Sequence, residues 1–116
     1  MTHIFGMLEG NVVIRNKAEL TPLMDTVVKR LGLHEVGRAF HQFDPVGVTG
    51  VIVLSESHFS AHTYPERDQI YVDLFCCSKD FSPNEAASVI SEVFDSDLFM
   101  WEHVHRIKSD DFLKSS

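Results

Sequence analysis

Basic residues and long apolar runs are both scarce in this sequence. Ten Lys and Arg stand against 17 Asp and Glu, which gives a formal net charge of -7 at pH 7. Nucleic-acid binding uses clustered Lys and Arg to neutralise phosphates, so no nucleic-acid partner is expected. Every apolar run is far shorter than the roughly 20 residues that a membrane span needs. No basic amphipathic helix suits a membrane surface, so no membrane partner is expected either.

Cysteine is scarce too, and its two copies, Cys76 and Cys77, are adjacent. Successive strand side chains point to opposite faces, so a disulfide between these residues would be strained. Reduced thiols in a reducing compartment are therefore expected. The N-terminus lacks the charged-then-apolar layout of a signal peptide, which predicts a cytoplasmic protein. With no CxxC and no metal-ligand spacing among the histidines, no metal site is predicted.

Length and periodicity predict a single α+β domain over residues 1–116. A chain of 116 residues can bury one modest core. Asn16-x-x-Glu19 and Ser82-Pro83-x-Glu85 each have the form of a helix start and each precedes apolar residues at helical spacing. Strands are predicted over residues 3–8, 35–43, 48–54, 70–76 and 98–105. The order β-α-β-β-β-α-β suits a two-layer sandwich, an antiparallel sheet with two helices on one face.

The central strands carry Phe, Val and Tyr on both of their sides. One side packs against the helices, so the other side also needs a cover. A second copy of the chain is the simplest cover, and a homodimer is therefore expected.

The densest group of reactive side chains lies in a polar insert between the strands predicted at 48–54 and 70–76. Nucleophiles and imidazoles in a segment between strands are typical of a functional site. A Ser-His-acid hydrolase would typically have a G-x-S-x-G elbow, which is absent, and Glu56 has no clear second carboxylate for glycoside chemistry. The insert contains Ser55, Glu56, Ser57, His58, Ser60, His62 and Thr63.

One further chemistry uses the local order of Glu56 and Ser57 directly. In a strained turn, Ser57 Oγ attacks the carbonyl carbon of Glu56 and shifts the peptide to an ester. Elimination and hydrolysis then leave a pyruvoyl group derived from Ser57. On the residues alone, a solvated loop hydroxyl is the favoured interpretation of Ser57, and the order of Glu56 and Ser57 is only a weak signal for this chemistry.

The segment from Phe40 to Ser78 resembles the prokaryotic S-adenosylmethionine decarboxylase proenzymes. The resemblance implies a self-cleaving enzyme with its junction between Glu56 and Ser57, giving fragments 1–56 and 57–116. It implies a pyruvoyl group generated from Ser57, no external cofactor, and S-adenosylmethionine as the small-molecule substrate in spermidine synthesis. The matching motifs are Phe43-x-Pro45-x-Gly47-Val48-x-Gly50-Val51, Glu56-Ser57-His58, His62-Thr63-Tyr64-Pro65-Glu66 and Val72-Asp73-Leu74-Phe75-x-Cys77.

The resemblance also implies roles for individual side chains. His62 matches the processing histidine, and an imidazole suits a base for the elimination step. Thr49 stands where a hydroxyl assists processing. Cys77 matches the cysteine that returns a proton to the substrate, although by pattern alone it is a small buried residue. The implied substrate-binding residues are Phe43, Tyr64 and Glu66, with the ring of Phe43 stacked on adenine.

Several positions depart from the usual family pattern, and all concern the substrate. Met7 stands where the family places an acidic residue, and Tyr64 stands where Trp is common. Asp68-Gln69 replaces small or aromatic residues. Two alternative functions therefore stay open: pyruvoyl-dependent decarboxylation of arginine or ornithine on the same fold, and a binding or regulatory paralogue that never cleaves.

Overall fold

The computed structural model describes residues 2–10, 13–77 and 80–104, which form six strands, two α-helices and one 3-10 turn. The strands are β1 (Thr2–Gly10), β2 (Glu35–Gln42), β3 (Val48–Leu54), β4 (Ser57–Tyr64), β5 (Gln69–Cys76) and β6 (Ser96–His103). The helices are α1 (Lys17–Arg30) and α2 (Pro83–Val93), and the 3-10 turn covers Pro65–Arg67. Neither of these helices has the length and apolarity to cross a membrane.

The strands form one sheet in the order β2-β3-β4-β5-β1-β6, and each neighbouring pair is antiparallel. Helix α1 packs against β2 and β3, helix α2 packs against β1 and β6, and the two helices contact each other. The buried side chains between the helices and the sheet form one cluster. The predicted α+β sandwich with two helices on one face is confirmed.

The predicted order of elements omits strand β4, which forms in the segment that the sequence presents as a polar insert. Phe59, Ala61 and Thr63 alternate along this strand and are buried, which is the two-residue period of a strand. The many Ser and His side chains between them hide that period in the sequence. Pairing with β3 and β5 on both edges makes β4 a central strand despite its polar composition.

Both helices begin at the caps that the sequence predicts. The backbone N–H of Glu19 donates to Asn16 Oδ1 at 2.9 Å, and the N–H of Glu85 donates to Ser82 Oγ at 3.1 Å. Each bond satisfies a donor that the first helical turn leaves without an intrahelical partner. The helix starts are therefore set by local sequence.

Strand alternation gives the sheet two unlike faces. The helix-covered face carries the core, with Phe59 and Leu74 fully buried. The opposite face, called here the open face, carries Phe5, Tyr71 and Met100, which are 39%, 42% and 59% exposed. Apolar area of this kind on a sheet surface is typical of a face that another molecule covers.

Gly6 lets strand β6 approach β1 closely. A Cβ on Gly6 would lie 2.2 Å from Met100 O and 2.7 Å from Trp101 Cα, and these backbone atoms cannot move aside as a flexible side chain would. We expect Gly6→Ala to lower the free energy of unfolding by about 1–3 kcal/mol, measured by urea denaturation. Gly37→Ala is the matched control, because the nearest atom to its Cβ is Val53 Cβ at 4.0 Å. Equal stability of the two variants would contradict this prediction.

Candidate active site

The Glu56–Ser57 peptide bond lies in the tight hairpin that joins β3 to β4. Ser55 and Glu56 form the turn, and Leu54 pairs with Ser57 across the two strands. Ser57 has a φ angle of +145°. This region is populated almost only by glycine, and it costs other residues about 1–3 kcal/mol. The backbone is therefore strained at the residue that would supply the nucleophile.

Two other segments hold Glu56 in place. The backbone N–H of Cys77 donates to the carbonyl oxygen of Glu56 at 3.1 Å. The backbone N–H of His34 donates to Glu56 Oε1 at 3.0 Å, and His34 Nδ1 lies 2.7 Å from Glu56 Oε2. An ionised carboxylate only accepts hydrogen bonds, so the His34 ring carries its proton on Nδ1. Glu56, Ser57 and Cys77 are called here the junction cluster.

These hydrogen bonds lower the pKa of the Glu56 carboxyl from its ordinary value of 4.5 to about 2. The largest cause is the bond from the His34 ring, followed by the bond from the His34 backbone, and both favour the ionised form. A carboxyl whose pKa is lower in the folded state stabilises the fold above its unfolded pKa. That stabilisation is lost as the pH falls from about 4.5 towards 2. At neutral pH Glu56 is ionised and cannot serve as a proton donor.

The adjacent cysteines occupy the two environments that strand alternation predicts. Cys76 is buried in the core and Cys77 is exposed, and both are free thiols. The N–H of Cys77 contacts the Glu56 carbonyl, so Cys77 lies beside the junction with its thiol accessible. Of the two thiols, only that of Cys77 is placed to meet a bound molecule.

The two side chains predicted for processing lie together at the other end of β4. Thr49 and His62 are register partners on β3 and β4, and Thr49 Oγ1 is 3.0 Å from His62 Nδ1. His62 is five residues beyond Ser57 on the same strand. At about 3.4 Å per residue, that spacing is roughly 17 Å. Within one chain, His62 therefore does not reach Ser57.

The predicted substrate-binding residues gather at the same end of the sheet as His62. Gly47 lies beside Phe43 and beside Pro65, the residue between Tyr64 and Glu66. A Cβ on Gly47 would be 3.9 Å from both Phe43 Cβ and Pro65 Cδ. Tyr64 follows His62 by two residues and its ring contacts the ring of Tyr71 edge-on at 5.5 Å. The side chains called here the distal cluster are Phe43, Thr49, His62, Tyr64 and Glu66.

Sequence reasoning missed a polar group on the open face that is centred on Asp73. Asp73 Oδ1 lies 2.9 Å from His3 Nε2 and 3.5 Å from His58 Nε2. The ring of Phe75 lies 5.2 Å from the His3 ring and 5.9 Å from the His58 ring. The one sequence signal for this group is the alternation along β5, which predicts that Asp73 and Phe75 lie on the same face of the sheet. The histidines come from β1 and β4, so their approach depends on strand register.

A groove of about 680 Å³ runs along the open face beside His62. Its aromatic side chains include those of Phe5 and Tyr71, and its carboxylates include those of Asp73 and Glu102. A concave surface of apolar rings with a few charged groups is typical of a small-molecule site. The groove thus places a binding surface next to a candidate base.

Residues 3–107 match the model of the family described as S-adenosylmethionine decarboxylase. The chain belongs to this family. It is 38% identical over 84 residues to the S-adenosylmethionine decarboxylase proenzyme of Thermosipho africanus, covering 72% of this chain and 65% of that relative. It is 34% identical over 106 residues to the S-adenosylmethionine decarboxylase proenzyme of Caldicellulosiruptor saccharolyticus, covering 90% of this chain and 86% of that relative. The family resemblance is confirmed.

A solved structure of the same family supports the assignment of the fold. The crystal structure of the adenosylmethionine decarboxylase from Aquifex aeolicus superposes with a TM-score of 0.81 at 26% identity, covering 93% of this chain and 92% of that chain. These relatives are named for S-adenosylmethionine rather than for arginine or ornithine. The comparison favours the first of the three predicted functions.

Proposed function

We propose that this chain is a self-cleaving, pyruvoyl-dependent decarboxylase of S-adenosylmethionine. The observation that carries the proposal is the strained backbone of Ser57, directly after a carbonyl that accepts a hydrogen bond from Cys77 N–H. Cleavage between Glu56 and Ser57 yields fragments 1–56 and 57–116, the second headed by a pyruvoyl group. Family membership supports this function, since the related bacterial chains are named proenzymes.

Cleavage begins when Ser57 Oγ adds to the carbonyl carbon of Glu56. The Cys77 N–H, already 3.1 Å from the carbonyl oxygen, stabilises the negative charge that develops there. The C–N bond then breaks, the acyl group passes from nitrogen to oxygen, and the hydroxyl proton goes to the freed amine. A base removes the Cα proton of residue 57, the Cβ–O bond breaks, and Glu56 leaves as a carboxylate. Water then replaces the nitrogen, ammonia departs, and the ketone remains.

The base for the elimination is His62 of the partner subunit in a homodimer. If His62 donates its Nδ1–H to Thr49 Oγ1, the lone pair of Nε2 is available to accept a proton. Each chain keeps its own His62 roughly 17 Å from its own Ser57. A symmetric pair joined through the open faces brings the distal cluster of each chain to the junction cluster of the other. The apolar side chains of the open face supply the contact surface.

In the cleaved enzyme, a pyruvoyl group at residue 57 would supply a ketone for the substrate amine and an acceptor for the electrons that CO₂ leaves behind. The exposed thiol of Cys77 returns a proton to the substrate carbon. The half-exposed ring of Phe43 stacks on the adenine. Tyr64 keeps an aromatic ring where relatives commonly carry Trp, and Glu66 contacts the substrate beside it. No external cofactor is required.

The intact mass of the purified protein under denaturing conditions tests this function. We expect two fragments in place of the 13.2 kDa chain, the C-terminal one carrying a pyruvoyl group instead of Ser57. The cleaved protein should release CO₂ from carboxyl-labelled S-adenosylmethionine and not from labelled arginine or ornithine. A full-length mass that persists through prolonged incubation would contradict self-cleavage. CO₂ from arginine or ornithine alone would overturn the substrate and leave the pyruvoyl group in place.

A further inference from the structure

His34 binds both residues of the turn that precedes Ser57. Its carbonyl oxygen accepts the N–H of Ser55 at 2.8 Å. Its own N–H and its ring Nδ1 donate to the two carboxylate oxygens of Glu56, at 3.0 Å and 2.7 Å. Three hydrogen bonds therefore tie the junction turn to one residue that lies more than twenty positions earlier in the chain.

The end of helix α1 places His34 at this position. Gly32 follows the helix with a φ of +67°, and the N–H of Leu33 donates to Val28 O at 2.9 Å, which closes the helix end. Leu33 is buried in the core at 7% exposure. His34 is therefore held in place from both sides, by the buried Leu33 before it and by strand β2, which begins directly after it.

We propose that His34 is a positioning residue for self-cleavage, which keeps the Glu56–Ser57 turn in its strained conformation; this inference rests on the proposed function. A residue at a φ of +145° relaxes unless its surroundings hold it. Cys77 N–H holds the Glu56 carbonyl, and His34 holds the Glu56 side chain. With both ends of Glu56 fixed, Ser57 stays in the conformation from which its hydroxyl attacks.

The contact acts on geometry and not on the reacting atoms. The His34 ring touches the side-chain carboxylate of Glu56, whereas the attack takes place at the backbone carbonyl. The ring is 76% exposed, so its effect comes from this hydrogen bond rather than from core packing. Removing the ring leaves the bonds made by the His34 backbone, including the one to Glu56 Oε1, and takes away the bond to Glu56 Oε2.

The rate of cleavage after refolding from denaturant, followed on denaturing gels, tests this role. We expect His34→Ala to cleave about tenfold more slowly than the wild type, because a misplaced nucleophile loses proximity. His34→Asn should recover to within about threefold, since Asn Nδ2 can donate from nearly the same place as His Nδ1. His103→Ala is the matched control, an exposed histidine on β6, and should cleave at the wild-type rate.

A double-mutant cycle with Glu56→Gln separates the contact from an effect of His34 on folding. If His34 acts through the Glu56 carboxylate, His34→Ala adds little to the slowing caused by Glu56→Gln. Additive slowing, or a wild-type rate for His34→Ala, would overturn the proposal, and so would an Asn variant as slow as the Ala variant. A wild-type chain that never cleaves would overturn the proposed function as well, whereas wild-type cleavage with unaffected His34 variants would overturn this inference alone.

Discussion

Ser57→Ala should leave an intact chain of 13.2 kDa that releases no CO₂ from S-adenosylmethionine. The Ser57 hydroxyl is the nucleophile of the cleavage, and its side chain becomes part of the ketone. Alanine has no oxygen to accept the acyl group, so neither the shift nor the elimination can occur. Loss of a nucleophile costs about a thousandfold or more in rate, and intact mass with labelled-CO₂ release measures both effects.

Ser60→Ala is the matched control for the Ser57 substitution. Ser60 is another hydroxyl of strand β4, three residues further along the strand. We expect its variant to cleave at the wild-type rate. If the Ser57→Ala chain still gave two fragments, the cleavage junction would have to lie at another residue, which would contradict the proposed site.

Mixing two inactive variants should restore cleavage. His62→Ala lacks the base and Ser57→Ala lacks the nucleophile, so neither should cleave alone. In a mixed dimer, Ser57 of the His62→Ala chain meets His62 of the partner subunit, and one complete junction forms. Random pairing of equal amounts makes half of the dimers mixed, so about half of the His62→Ala chains should cleave. Co-refolding followed by mass spectrometry, with one chain isotope-labelled, measures this fraction.

The labelled chain identifies the geometry of the site. Fragments from the His62→Ala chain alone show that the base comes from the partner subunit. An absence of fragments in the mixture would contradict the shared site, because the partner's His62 would then not replace the missing base. The unmixed variants, refolded in parallel, give the background for this measurement.

Local sequence was sufficient for much of the fold. Asn16 and Ser82 cap their helices as predicted, because an N-cap bond joins residues three positions apart and needs nothing from the rest of the chain. Strand alternation likewise predicts that Cys76 and Cys77 lie in opposite environments, whereas the structure shows that Cys76 is the buried one and Cys77 the exposed one. Strand β4 was missed because its pairing with β3 and β5 outweighs its polar composition, and no local signal reports such pairing.

The sequence by itself determined the family and the α+β class, and it supplied the candidate residues of the site. Motifs and periods are properties of neighbours in the chain, and these conclusions depend on nothing else. Only the tertiary structure decided that the candidate residues divide into a junction cluster and a distal cluster. It also decided that His34 meets Glu56, across 22 positions. Contacts of that separation depend on strand register and on where a helix ends, which are settled only when the whole sheet and its core form together.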